Sequence, residues 1–413
     1  MSDMAVESVP PPNKESPRPV VVATLGIMQI LSWGSTFYLL PVLGKPIADD
    51  TGWTYDWVMG GLAVGLLVAG IISPWVGRTI GRRGGRVVLA YGSASIAAGL
   101  VAIAIASHFG IYLLGWVLIG AGMGAALYDA AFATLGALYG TSARSAITAV
   151  TLFGGFASTV CWPLSAFLMA HVGWRGACFA YAAMQVALGF ALALIVLPTR
   201  RPDAIGARDE RSPIAHLKGD DRILFLVLAG VLTIGAAILS LVGSQLITLL
   251  LASGLDLSKA VSLGMLIGPS AVGARSVEAL VGARYHPIWT MVAAAILVGC
   301  GTLLFLVGPV AFAAAIVIYA AGNGIGSIAK GTLPLALFGP TRYPALAGKI
   351  GLPVLFAMSL APYVGALAFQ VGGVAATLSL LLGLAATNVV LVGILFGLTR
   401  SRRSESSKIW PTG

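Results

Sequence analysis

The chain has 413 residues, of which 58% are hydrophobic and only 10% charged. A soluble domain averages about 25% charged residues, so the composition, with its mean hydropathy of +0.94, excludes an ordinary soluble fold. The net charge of +10 would suit nucleic acid in a soluble protein, but the distribution of the basic residues below removes that reason. Cys161, Cys178 and Cys300 lie in apolar stretches, with neither disulfide nor metal-site spacing.

The start, "MSDMAVESVPPPNKESPRP", is polar and proline-rich and is expected to be a disordered tail over residues 1–19. It lacks the short basic start and cleavage site of a signal peptide, so the first apolar segment is expected to stay as a helix. Twelve apolar segments follow, most of them long enough to cross roughly 30 Å of hydrocarbon. They run over 20–43, 57–77, 86–107, 110–138, 146–170 and 176–197, and then over 223–252, 260–281, 288–307, 310–337, 350–370 and 374–398. The long polar break at 198–222 divides them into an N-terminal half (20–197) and a C-terminal half (223–398), with a tail at 399–413. The expected fold is all-α and polytopic: twelve transmembrane helices in two pseudo-symmetric sets of six. Abundant glycine, 53 residues, suits helices packed closely in lipid.

With the N-terminus inside, twenty of the 25 Lys and Arg residues fall in cytoplasmic loops and tails, and only Lys45, Arg175 and Lys259 fall outside. That asymmetry obeys the positive-inside rule with both termini cytoplasmic, and it explains the basic balance without nucleic acid. The expected location is the plasma membrane, in a bacterium the inner membrane, and the expected state is monomeric. The halves also repeat. "LYGTSAR" (138–144) answers "LFGPTR" (337–342), and Gly140, Pro163 and Gly173 match Gly339, Pro362 and Gly372 at an offset of 199. Gly61 and Gly65 match Gly264 and Gly268 at an offset of 203. Such matches argue for a duplicated six-helix unit.

Twelve helices in a 6+6 repeat, with a long central loop, resemble the major facilitator superfamily. The most specific local match is "GRTIGRRGGR" between helices 2 and 3, where Gly77, Arg82, Gly84 and Arg86 fit the family's loop motif. Gly81 stands where the family has an Asp, and Gly85 where it has the first of two basic residues. "GWRGACF" (173–179) also looks like the family. In many proton-coupled exporters of the family, helix 4 has an Arg four residues before a Gly; here Trp116 precedes Gly120. The Gly-Pro pair of the helix 5 antiporter signature is absent too: Pro163 has no Gly before it. The resemblance implies alternating access, with helices 1, 4, 7 and 10 around a central cavity.

Four ionisable residues fall inside helices: Asp129, Arg275, Glu278 and Lys330. Each costs about 2.5–3.5 kcal/mol at a helix centre. The 199 offset carries Asp129 to Ile328, two residues from Lys330, so acid and base hold near-equivalent places on helices 4 and 10. Both lie about 10–15 Å from the inner end at 1.5 Å per residue. Asp129 and Lys330 are expected to form a cytoplasmic gate bridge that couples to a proton; the alternative is a static pair that only offsets the cost of insertion, or independent watered sites. Arg275 and Glu278, three apart on helix 8, can pair locally. Alternatively Arg275 faces the cavity and holds a carboxylate or oxyanion with its planar fork, as in some anion-transporting relatives.

Polar stripes point to a wet cavity. Thr233, Ser240, Ser244 and Thr248 on helix 7 lie within about 80° of one another. Gln29, Ser32, Trp33 and Thr36 line helix 1, and Asn323, Ser327 and Lys330 line helix 10. Trp116, Tyr128 and Gln245 join them as substrate-binding candidates, although any single Ser or Thr there can instead bond its own backbone. His108, His171, His216 and His286 have no metal-ligand spacing, and no P-loop lysine motif is present. No cofactor, metal or catalytic residue is expected. The sequence is read as a proton-coupled secondary transporter of a small solute, with an organic anion or oxyanion as substrate. The alternatives are an efflux pump for drugs or a toxic metalloid, and, of another class, a non-transporting receptor or regulator.

Overall fold

The computed structural model describes residues 18–199, 217 and 219–409. Most of the expected N-terminal tail and central loop lies outside these residues. Among the described residues, seven continuous helical stretches are long and apolar enough to cross a membrane. Two of them, Phe109–Val196 and Pro309–Ser401, hold three spans each. The chain turns inside them at Gly140, Gly173, Gly339 and Gly373, whose φ values are 57°, 69°, 74° and 57°. Only glycine adopts positive φ without steric cost, and Gly140 and Gly339 are the repeat-related pair in the sequence. With a broken first crossing at 18–51, the bundle has twelve spans in two sets of six.

In the first half, α1 (Arg18–Gly34) and α2 (Leu40–Thr51) make span 1. Spans 2 and 3 are α3 (Tyr55–Arg83) and α4 (Arg86–Ala104). Span 4 is α5 (Phe109–Ala126) continued by α6 (Tyr128–Tyr139). Span 5 is α7 (Ala143–Gly155) with the start of α8 (Ala157–Met184), which bends at Gly173 into span 6. Span 6 passes through a π-helical stretch, Gln185–Phe190, and ends in α9 (Ala191–Val196).

In the second half, α10 (Asp220–Ala252) is span 7, and α11 (Leu257–Gly264) with α12 (Ile267–Val281) make span 8. Span 9 is α13 (Pro287–Leu304). The long α14 (Phe312–Ile409) holds spans 10, 11 and 12 at 312–338, 340–371 and 374–409.

The expected segments are present, with three differences. Span 1 runs on to Thr51 and is interrupted over 35–39; spans 4, 5 and 8 are each in two pieces; and span 12 continues as helix through much of the expected tail. Side chains such as Ile195 and Leu280, 77% and 79% exposed, form the outer wall, as a bundle solvated by hydrocarbon allows.

The halves meet mainly toward one end, which carries the basic α3–α4 turn and is called the basic end below. There α3 packs against span 11 so closely that a Cβ on Gly77 would lie 2.3 Å from the Pro344 carbonyl oxygen. Arg144 at the start of span 5 donates to the carbonyls of Gly282 and Tyr285 beyond the end of α12, a cation at a helix C-terminus. At the opposite end, Asp50 of α2 accepts from Trp174 Nε1 at 3.1 Å and from Arg175.

Candidate functional site

The site begins with a backbone break. Span 4 leaves helical geometry at Leu127 (φ −78°, ψ −172°). Without its partner in the next turn, the Ala126 carbonyl accepts from Gln29 Nε2 at 2.8 Å. Gln29 is fully buried, so its amide holds the break in place. The break starts a new half-helix inside the bundle and puts Asp129 in its first turn, where the positive end of the helix dipole favours an anion.

Lys330 reaches Asp129 from span 10, with Nζ 2.8 Å from Oδ1. The structure thus brings together the acid and base that the repeat had aligned. Their side chains keep 21% and 26% of their surface. Asp129 also borders a crevice lined by Ser73, Gly77 and Gly348, so the bridge lies on the seam between the halves.

Arg275 occupies the same seam. Its Nε donates to Gly324 O of span 10 at 3.2 Å, and its Nη1 to Thr151 O of span 5 at 3.3 Å. Nη2 has no acceptor among the described residues. The local Arg275–Glu278 pair expected from the spacing is not formed. Glu278 instead accepts from Thr290 Oγ1 at 2.6 Å, and Arg275 is drawn to carbonyls of two other spans. Two glycines of span 5 make room for this convergence: a Cβ on Gly155 would fall 2.5 Å from Arg275 Nη1, and one on Gly154 2.1 Å from Tyr128 Oη. Tyr128 Oη donates to the same Thr151 oxygen at 3.4 Å.

Around Tyr128 runs a chain of aromatic rings. Trp33 lies 5.3 Å from Tyr128, 5.6 Å from Phe37 and 6.3 Å from Tyr38 by ring centroid. Phe132 stacks on Tyr128 at 5.1 Å, and Trp162 meets Tyr38 at 5.8 Å. The break in span 1 lets Trp33, Phe37 and Tyr38 share this surface. Phe37, Tyr38 and Thr151 were missed by sequence reasoning. The run "WGSTFY" (33–38) carried a visible aromatic signal, whereas a backbone carbonyl such as that of Thr151 carries none.

The other candidates divide. Asn323 is half-buried and has no protein partner among the described residues, while Ser327 Oγ donates to Gly324 O at 2.7 Å, the carbonyl Arg275 also uses. Trp116 is fully buried against Gly61 and Gly65 of α3 and belongs to a helix contact rather than a cavity wall. Ser240 donates to Met358 O at 2.7 Å and joins spans 7 and 11. Ser244 and Thr36 bond their own helices, to Leu241 O and Ser32 O. Gln245 is buried against Gly365, and Ser32 is fully buried. Helix packing therefore takes most of the polar stripes on spans 1 and 7.

The α3–α4 turn shows why its motif departs from the pattern. Gly84 has φ 81°, and a Cβ on Gly85 would lie 1.8 Å from Thr134 Oγ1. A basic residue at position 85 has no room. Gly81 faces Pro344 of span 11, its Cβ position 3.7 Å from that of the proline. Arg82 and Arg86 make no ion pair among the described residues.

Comparison with known proteins agrees with this architecture. The family model described as Major Facilitator Superfamily matches residues 25–329. No curated protein matches the sequence. Among solved structures, the human organic anion transporter MFSD10 (TETRAN) superposes with a TM-score of 0.75 at 17% identity, over 92% of this chain and 100% of that one. The major facilitator transporter FucP in its outward conformation gives 0.73 at 15% identity, over 92% and 99%. A variant of the E. coli fucose:proton symporter FucP gives 0.70 at 15% identity, over 94% and 98%.

Proposed function

The chain belongs to the major facilitator superfamily, and from that premise we propose that it is a proton-coupled secondary transporter of a small organic anion, working by alternating access between its two halves. The observation that carries the substrate class is Arg275. Its guanidinium sits on the seam, is held by backbone carbonyls of both halves, and keeps Nη2 without an acceptor among the described residues. Carbonyl oxygens orient an arginine without neutralising it, so its charge stays available to a carboxylate. Span 10, which supplies the Gly324 carbonyl to Arg275, also carries the half-buried Asn323 amide and the Lys330 ammonium. An organic anion transporter is also among the structural relatives reported above.

The Asp129–Lys330 bridge supplies the coupling. Formed, it ties span 4 to span 10 and keeps the basic end shut; by the positive-inside rule that end faces the cytoplasm. Protonation of Asp129 removes its charge, weakens the bridge and leaves Lys330 free for an incoming anion. The proton and the substrate thus act on one two-state contact, and each biases the state the other prefers.

Solid-supported-membrane electrophysiology on reconstituted protein tests this. Small organic acids are expected to evoke transient currents that grow with an inward proton gradient, and Arg275→Gln is expected to abolish them. Currents from cationic drugs but never from anions would overturn the substrate class. An Asp129→Asn variant whose currents still follow pH jumps would remove Asp129 as the proton carrier.

A further inference from the structure

The two sides of the seam differ in chemistry. Everything cationic near the middle comes from the second half: Arg275 on span 8 and Lys330 on span 10. The facing wall from the first half is aromatic, running without a gap from Trp162 through Tyr38, Phe37 and Trp33 to Tyr128 and Phe132, with neighbouring centroids 5.1–5.8 Å apart. The two walls share an acceptor, the Thr151 carbonyl oxygen, which takes hydrogen bonds from both Tyr128 and Arg275, and Phe132 packs against Gly331 of span 10.

We propose that this site selects a planar aromatic carboxylate, whose carboxylate rests on Arg275 and whose ring lies against Trp33 and Tyr128. The proposal rests on the anion reading above and narrows it. Ring quadrupoles favour edge and offset contacts with another π-system over contacts with a saturated ring of equal size. Trp33, Phe37, Tyr38 and Tyr128 all keep part of their surface uncovered, which leaves ring surface for a ligand. The Trp33 indole N–H meets no acceptor among the described residues. Packing and its aromatic neighbours hold that ring, with no hydrogen bond from the indole to fix its tilt. A ligand spanning both walls would also favour their approach, because its two ends are held by different halves.

Benzoate and cyclohexanecarboxylate share charge, length and carboxylate geometry and differ in planarity and π-character. Isothermal titration calorimetry on the purified full-length protein is expected to show benzoate binding about tenfold tighter. Trp33→Leu is expected to bring the ratio within about twofold and Trp33→Phe to retain most of it, with Phe37→Leu as a second reading should Trp33→Leu fail to fold. Arg275→Gln is expected to weaken both acids together. Equal affinities in the unaltered protein, or a full preference surviving in Trp33→Leu, would overturn the aromatic proposal while the anion reading stands. Binding of benzylamine with neither acid bound would overturn both.

Discussion

Asp129 and Lys330 act as a unit, and their energetics differ from those of either alone. In the bridge each charge answers the other at 2.8 Å. Remove one and the remaining group stands three-quarters buried and unanswered. Leaving a buried hydrogen-bonding group without its partner costs about 1–3 kcal/mol, and more when the group is charged and fully buried, whereas removing both partners leaves no orphan and is often near neutral. Asp129→Asn and Lys330→Met are therefore each expected to destabilise the protein by about 2 kcal/mol, and the double variant by less than either. Thermal unfolding in detergent measures this, and additive losses would show that the two side chains are not coupled. Transport separates the gate from a static pair. With both charges gone, downhill exchange of substrate is expected to persist while accumulation driven by a proton gradient is lost. Arg275 has a different logic, since its partners are carbonyls that no substitution can delete, and its loss is expected to be felt in binding more than in folding.

At the scale of elements, the site is made by interruptions in helices. Span 1 opens over 35–39, span 4 at Leu127 and span 8 at 265–266, and each opening aims side chains across the seam that an unbroken helix would have turned elsewhere. Freed backbone groups in a membrane must find partners, so a break persists only where a neighbour supplies one. For span 4 that neighbour is Gln29. Gln29→Leu keeps the side-chain volume and removes the donor to Ala126 O. It is expected to cost about 1–3 kcal/mol and to weaken anion binding too, because Tyr128 and Asp129 take their direction from the break. A variant with lowered melting temperature but unaltered benzoate affinity would show that the break is set elsewhere. Here also lies the boundary of what the sequence reveals. Period, charge asymmetry and the 199-residue repeat revealed twelve spans and set Asp129 opposite Lys330, since apolar length and charge cost are local properties. The breaks are not local. Leu127 is an ordinary helix former, and nothing in "AALYDAA" marks an end until Gln29 is brought beside it. Arg275 shows the same limit: three residues from Glu278 it reads as half of a local pair, but the carbonyls of Thr151 and Gly324 come from spans more than forty residues away in either direction.

For the whole molecule, the decisive contact is the one that shuts the basic end. Spans 2 and 11 approach there to backbone distance, with Gly77 against Pro344 and Gly348; Arg144 ties span 5 to the end of α12; and the Asp129–Lys330 bridge lies just above. Gly81 stands where the family has an Asp, and the contacts described at this end are close packing and charges within the bundle. If the halves rock as rigid bodies, every one of these contacts must part in each cycle. Gly81 and Pro344 offer a way to forbid that without touching the site. Their Cβ positions are 3.7 Å apart, within the span a disulfide needs, and they belong to different halves. With the exposed Cys300 replaced by serine, Gly81→Cys/Pro344→Cys is expected to transport when reduced, to lose transport on oxidation, and to recover it with a reductant. Benzoate should still bind to the oxidised form, because the lock leaves the other end of the seam free. Full transport by the oxidised protein, with cross-linking verified by mass spectrometry, would mean that the basic end need not open, and the gate assigned to Asp129 and Lys330 would fall with it.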